Sequence, residues 1–93
     1  MQEIIRVQVH FMKEGNTAIV YSPALEISGY GKTIEEAQVD FRNAVNIFMQ
    51  ETASHGSLER ALETLGWKRI DHHWQPQVEI LSGGKTEEIA LPA

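Results

Sequence analysis

The densest group of metal-capable side chains in the sequence is Asp71-His72-His73. Adjacent residues on a strand point to opposite faces, so these two histidines do not converge on one ion, and a metal site needs three or four convergent donors. Asp71 and His73 share a face, and a ligand set built from them requires two copies of the chain side by side. His10 falls where a general base is conceivable, yet nothing near it in sequence supplies a nucleophile or an orienting carboxylate. His55 follows a helical pattern, where the helix dipole and free carbonyls account for it. Glu35 and Glu36 are adjacent at a helix start, where capping and the dipole account for both without acid or base chemistry. The chain has no cysteine, which removes disulfides, cysteine zinc sites and thiol nucleophiles. No catalytic residue, cofactor site or metal site is expected, and the chain is read as a non-enzyme.

Two glycine-containing segments invite a phosphate-cradling reading. Gly29-Tyr30-Gly31 precedes a helix, but neither a Gly-x-Gly-x-x-Gly fingerprint nor a Walker lysine follows it. It reads as a turn feeding the helix. Ser82-Gly83-Gly84-Lys85 is too short for a P-loop and opens no apolar helix, so a hairpin tip is expected there.

The elements that carry these residues are read from periodicity. Ile5, Val7, Val9 and Phe11 alternate with Arg6, Gln8 and His10, the period of two of a strand with one buried face. Lys13-Glu14-Gly15-Asn16 is a hairpin turn, after which Thr17 to Tyr21 forms a second, antiparallel strand. Pro23 stops that strand, and Leu25-Glu26-Ile27 makes a short third one before Gly29-Tyr30-Gly31 breaks the pattern. Thr33 and Glu36 form a capping box. In the helix that follows, Ile34, Ala37, Phe41, Ala44, Val45, Phe48 and Met49 make one apolar stripe. Ser57 caps a second, shorter helix with Leu58, Ala61, Leu62 and Leu65, ended by Gly66. A fourth strand is expected across Trp67 to Trp74. Trp67 is assigned a structural role beside the second helix, while Trp74 is open to a core or an interface role. The fold class is α+β in the order β-β-β-α-α-β: a three-stranded antiparallel sheet with one main helix packed across it. Residues 1–75 form the domain, and residues 76–93 are a C-terminal hairpin or flexible tail.

With 93 residues there is room for one core, whose modest size favours a partner or a second copy. Thirteen acidic residues against eight scattered basic ones give a net charge of −5. Phosphate-backbone binding needs a concentrated basic patch, so nucleic acid is not expected as a direct ligand, and a basic protein partner is favoured. The start lacks a basic n-region, and no apolar run approaches a membrane span, so a cytoplasmic location without membrane association is expected. A metal-dependent nuclease ranks last, because the expected strands offer few carboxylates beyond Glu3, Glu26 and Asp71.

Ala18 to Leu25, with Pro23 at its end, then Ser28-Gly29-Tyr30-Gly31-Lys32-Thr33-Ile34-Glu35-Glu36-Ala37, resembles the signature of the HicB-like antitoxin domain. The residues that carry the likeness are Pro23, Gly29, Gly31, Thr33, Glu36 and Ala37, supported by Leu58-x-x-x-Leu62-x-x-Leu65-Gly66-Trp67. The resemblance spans Ile4 to about Trp74. It departs from the family where Glu26-Ile27 and Tyr30 replace the usual proline and cysteine, as in a divergent, stand-alone subgroup. It implies a reduced RNase H-like or double-stranded-RNA-binding-like layout, and a non-catalytic antitoxin-like module that binds and masks a small basic HicA-like RNase toxin. Many such antitoxins carry a DNA-binding module. Residues 77–93 show no helical DNA-reading pattern and a single basic residue, Lys85, so autoregulation is not expected of this segment. The alternative is an orphan domain without a toxin, a homo-oligomer (dimer or higher) whose seam uses Ile4, Ile19 and Tyr21, with Trp74 a further interface candidate.

Overall fold

Alternating apolar residues, one capped amphipathic helix and three turns fix the architecture, which the computed structural model describes for residues 3–92. Met1, Gln2 and Ala93, which open and close the expected two-part division, lie outside the described residues. The elements run β1 (Ile4–Glu14), β2 (Thr17–Ser22), β3 (Ile27–Gly31), α1 (Ile34–Ser54), α2 (Leu58–Thr64), β4 (Lys68–Ile70), β5 (His73–Gln75) and β6 (Lys85–Ala90). β1, β2, β3 and β6 make a four-stranded antiparallel sheet in the order β3-β2-β1-β6, and β4 and β5 pair separately.

The β1–β2 hairpin turns through Gly15-Asn16, since Glu14 pairs with Thr17. Gly15 takes a φ of 59°, which L side chains rarely adopt, so the turn residue expected from sequence is the one the backbone requires. Ile5, Val7 and Val9 face α1 and are buried, as is Val20 on β2. α1 begins where the capping pattern places it. The Thr33 hydroxyl accepts the Glu36 N–H at 3.1 Å, and the Glu36 carboxylate takes the Lys32 N–H at 2.8 Å, one residue before the cap. Ala37, Phe41, Val45 and Met49 are buried against the sheet. Ile34 and Phe48 pack on that core partly buried, as does Phe11, and Ala44 is half-buried at the flank. Leu62 of α2 is fully buried and joins the same core cluster.

Three expectations are corrected. The third strand is Ile27–Gly31 rather than Leu25 to Ile27, so Gly29-Tyr30-Gly31 continues the strand instead of breaking it. Leu25 and Glu26 belong to the preceding turn: buried Ser22 accepts the Leu25 N–H on its hydroxyl and the Glu26 N–H on its carbonyl, and Glu26 sits at φ 55°. The fourth strand over Trp67 to Trp74 is instead a two-stranded hairpin, Ile70 pairing with His73 across Asp71-His72, both at positive φ. Where a separate C-terminal hairpin or tail is expected, Lys85–Ala90 instead pairs with β1 over six residues, from Val9 opposite Lys85 to Ile4 opposite Ala90. Ile89 and Leu91 enter the core from this strand and its end. The sheet is therefore four-stranded. Ser57 also differs from expectation: its hydroxyl donates to the Thr52 carbonyl instead of capping α2.

No helix among the described residues is long and apolar enough to cross a membrane.

Candidate functional site

The residues that carry the family likeness come together as the joint between β3 and α1. A Cβ on Gly29 would stand 2.3 Å from the Phe41 nitrogen and 2.5 Å from the Ala37 oxygen, and one on Gly31 would stand 2.6 Å from the Glu36 Cβ. Both glycines are there because the helix lies directly on the strand. Ala37, fully buried, is the small residue that allows the same approach from the helix side. Pro23 is half-buried in the turn between β2 and β3, and Thr33 with Glu36 fixes where α1 starts. These six residues are scaffold.

That joint places carboxylates along the outer edge of β3. Alternate residues of an edge strand point their backbone groups away from the sheet. The outward N–H of Tyr30 is taken by Asp40 at 2.8 Å and that of Lys32 by Glu36. Asp40, Ile47 and Glu51 follow one another at spacings of seven and four along α1 and so line its β3-facing flank. Ile47 is 60% exposed and Tyr30 is 55% exposed, both large apolar surfaces at an acidic rim. Around the edge, on the sheet face away from α1, Tyr30 lies opposite Ile19, which lies opposite Met12, and Tyr21 lies opposite His10. The result is a continuous surface: carboxylates on the flank, then an aromatic and aliphatic patch behind β3 and β2.

Across both helices, residues 34–64 hold the six carboxylates Glu35, Glu36, Asp40, Glu51, Glu59 and Glu63 against two basic side chains, Arg42 and Arg60. Arg42 is engaged by Glu87 of β6, a nearly buried carboxylate that also accepts from Gln38 at 3.4 Å. The helical layer, six carboxylates against two basic side chains, thus accounts for most of the chain's net charge of −5.

The remaining candidates separate. Ile19 and Tyr21 share the open patch, half-buried, while Ile4, 53% exposed, lies at the opposite end of the same sheet face. Trp74 is 8% exposed, with the Arg69 guanidinium 5.0 Å from its ring centroid and its backbone N–H donating to the Glu3 carboxylate, so its ring is part of the core rather than of an exposed face. Trp67 is structural: it is 1% exposed, and its ring N–H donates to the Ala24 carbonyl at 2.8 Å. His55 meets the helix-end expectation, its Nδ1 lying 2.7 Å from the Glu51 carbonyl oxygen. Asp71, His72 and His73 are exposed around a hairpin tip. Among the described residues there is no group of three or more His, Asp or Glu side chains placed to hold a metal.

Asp40 and Ile47 were not singled out by sequence reasoning. Their signal is the spacing from Glu36 and Glu51, which becomes meaningful only once β3 is known to lie beside that flank. No family model, curated protein or solved structure matches the chain.

Proposed function

We propose that this protein is a non-catalytic antitoxin-like module that binds a small basic RNase and occludes its substrate surface. The observation that carries the reading is the α1 flank, where Glu36, Asp40, exposed Ile47 and Glu51 follow one another along one stripe, with exposed Tyr30 held beside Asp40 at the β3 edge and Ile19 and Tyr21 on the sheet face behind it. Opposite charge steers a basic partner to this rim and sets its orientation, while the apolar and aromatic side chains supply the desolvated contact. A masking interface of roughly 1,200–2,000 Å² is within reach of a sheet face and helix flank of this size. The reduced RNase H-like or double-stranded-RNA-binding-like arrangement belongs to the same reading, supported by the antiparallel sheet with one long helix across it. The reading also places the protein in the cytoplasm, where its RNase partner would act.

The test is co-expression with a small basic protein encoded beside this chain, followed by RNA cleavage assays on the separated and recombined components. Stoichiometric inhibition that weakens with salt supports masking. Ile47→Asp and Glu51→Lys, both at exposed positions, should each weaken inhibition by about tenfold or more while leaving the far-ultraviolet circular dichroism unchanged. Undiminished RNA cleavage at equimolar antitoxin overturns the assignment.

A further inference from the structure

The cover that α1 gives the sheet stops before the β1–β2 hairpin. Odd-numbered residues of β1 face α1, and their burial runs out along the strand: Val9 is buried, Phe11 partly buried and Lys13 exposed. Past the start of α1 an open cavity of about 350 Å³ remains, whose lining includes Phe11, Ala18 and Ile34 together with Lys13 and Lys32. Small side chains leave this space. Ala18 of β2 lies between Lys13 on β1 and Gly31 on β3, so the middle strand offers it a single methyl group. Small-molecule sites occupy clefts of roughly 300–1,000 Å³.

The charged side chains in the lining are both lysines. Of the four lysines in the chain, a third, Lys85 of β6, reaches the same place. Its ammonium stands 5.7 Å from the centroid of the Phe11 ring, a cation–π contact that keeps the head group over the aromatic wall of the cavity. Among the described residues the ion pairs are made by Arg6, Arg42 and Arg69, and none of these three lysines has a carboxylate partner. Glu36, in the first turn of α1, gives its carboxylate to the Lys32 backbone N–H. A chain of net charge −5 therefore keeps a positive pole beside an apolar hollow.

We infer that this cavity binds a small organic anion, an apolar or aromatic body carrying one carboxylate, with the body against Phe11, Ala18 and Ile34 and the carboxylate among Lys13, Lys32 and Lys85. The body leaves water on the apolar walls, and the ammonium groups at the rim supply charge-assisted hydrogen bonds to the carboxylate. A polyanion fits worse. Nucleic acid laid across three lysines would run on to the helical layer, whose six carboxylates repel it. The site uses no residue of the partner-binding patch, so it stands or falls apart from toxin masking.

The probe is naphthoate, titrated into the isotope-labelled full chain and followed by amide and methyl chemical shifts. An anion of this size should bind with a dissociation constant of about 1 mM or below, with the largest shifts at Phe11, Ala18, Lys32 and Ile34. Naphthamide, of the same shape but uncharged, should bind at least about tenfold more weakly, and the affinity for naphthoate should fall as salt rises. Lys13→Gln combined with Lys32→Gln, both at exposed positions, should weaken naphthoate binding at least about tenfold and leave the melting temperature unchanged. The inference is overturned by the absence of saturable shifts up to about 5 mM naphthoate, by equal affinity for acid and amide, by shifts centred on another part of the surface, or by undiminished affinity in the double variant.

Discussion

At the β3 edge of the sheet the outward N–H groups of Tyr30 and Lys32 are held by two carboxylates of α1, Asp40 and Glu36. At the β6 edge the Leu91 N–H bonds to Glu3, which places alternate residues inward and leaves Thr86, Glu88 and Ala90 directed outward, with no strand beyond them among the described residues. An unpaired edge is a template for adding another strand, and proteins blunt it in different ways. β3 is closed by tertiary structure, through a helix that must sit within contact distance of Gly29 and Gly31. β6 is protected by its own sequence, through Glu87, a charge that points inward beneath α1 and is only 7% exposed. A strand docking beside β6 would further bury Arg42, which keeps Glu87 paired while about half of its own side chain remains in water. One edge is thus as secure as the helix docking, and the other as secure as a single ion pair.

The largest expected effect comes from breaking the helix docking. In Gly29→Ala the new methyl meets backbone atoms of Ala37 and Phe41, which cannot rotate away. A cost of ~3–4 kcal/mol is expected, from overpacking that only movement of α1 can relieve. At roughly 4–8 °C per kcal/mol for a domain of this size, the melting temperature should fall by more than about 12 °C. Tyr30 and Lys32 amides should exchange sooner than the β1–β6 amides. An unchanged melting temperature would show that α1 does not rest on Gly29. Next comes the β6 side. Arg42→Ala strands the nearly buried Glu87 and should cost ~1–3 kcal/mol by urea denaturation, less than a fully buried pair because the arginine is half-exposed. Glu87→Leu removes the charge together with its desolvation cost, so stability should hold or rise while self-association increases on gel filtration. A Glu87→Leu variant that stays as monodisperse as the parent would show that the inward charge does not guard this edge.

The same contrast explains which parts of the molecule were legible in the sequence. The β1–β2 hairpin, the Thr33 cap and the Phe41 stripe are set by neighbours within a few residues, and each forms where its pattern places it. β3 was misplaced because Gly29 and Gly31 look like chain breakers locally, while their cause is a helix that arrives later in the chain. β6 was missed because Lys85-Thr86-Glu87-Glu88 has the composition of a solvated loop, and its partner is β1, about 80 residues earlier. The Asp71-His72 turn escaped notice because it adopts positive φ without glycine. The spacing of Asp40 from Glu36, Ile47 and Glu51 is a local pattern without local meaning, since the partner of Asp40 is a backbone N–H ten residues away on β3.

The smallest effect separates two roles that Asp40 plays at one place. Asp40→Ala removes an exposed hydrogen bond to Tyr30 and should cost only ~0.5–1.5 kcal/mol, with faster exchange of the Tyr30 amide. Asp40→Asn keeps a side-chain oxygen that accepts the same N–H but removes the charge, so the edge should stay closed and the Tyr30 amide protected. If the flank receives a basic partner, this substitution should still weaken inhibition severalfold at low salt, and the difference from wild type should shrink as ionic strength rises. A loss of amide protection in Asp40→Asn equal to that in Asp40→Ala would mean that the charge itself holds the edge, so that closing β3 and attracting a partner could not be separated at this residue. Full inhibition by Asp40→Asn at every salt concentration would instead leave Asp40 as an edge lock alone and move the contact with the partner toward Ile47 and Glu51.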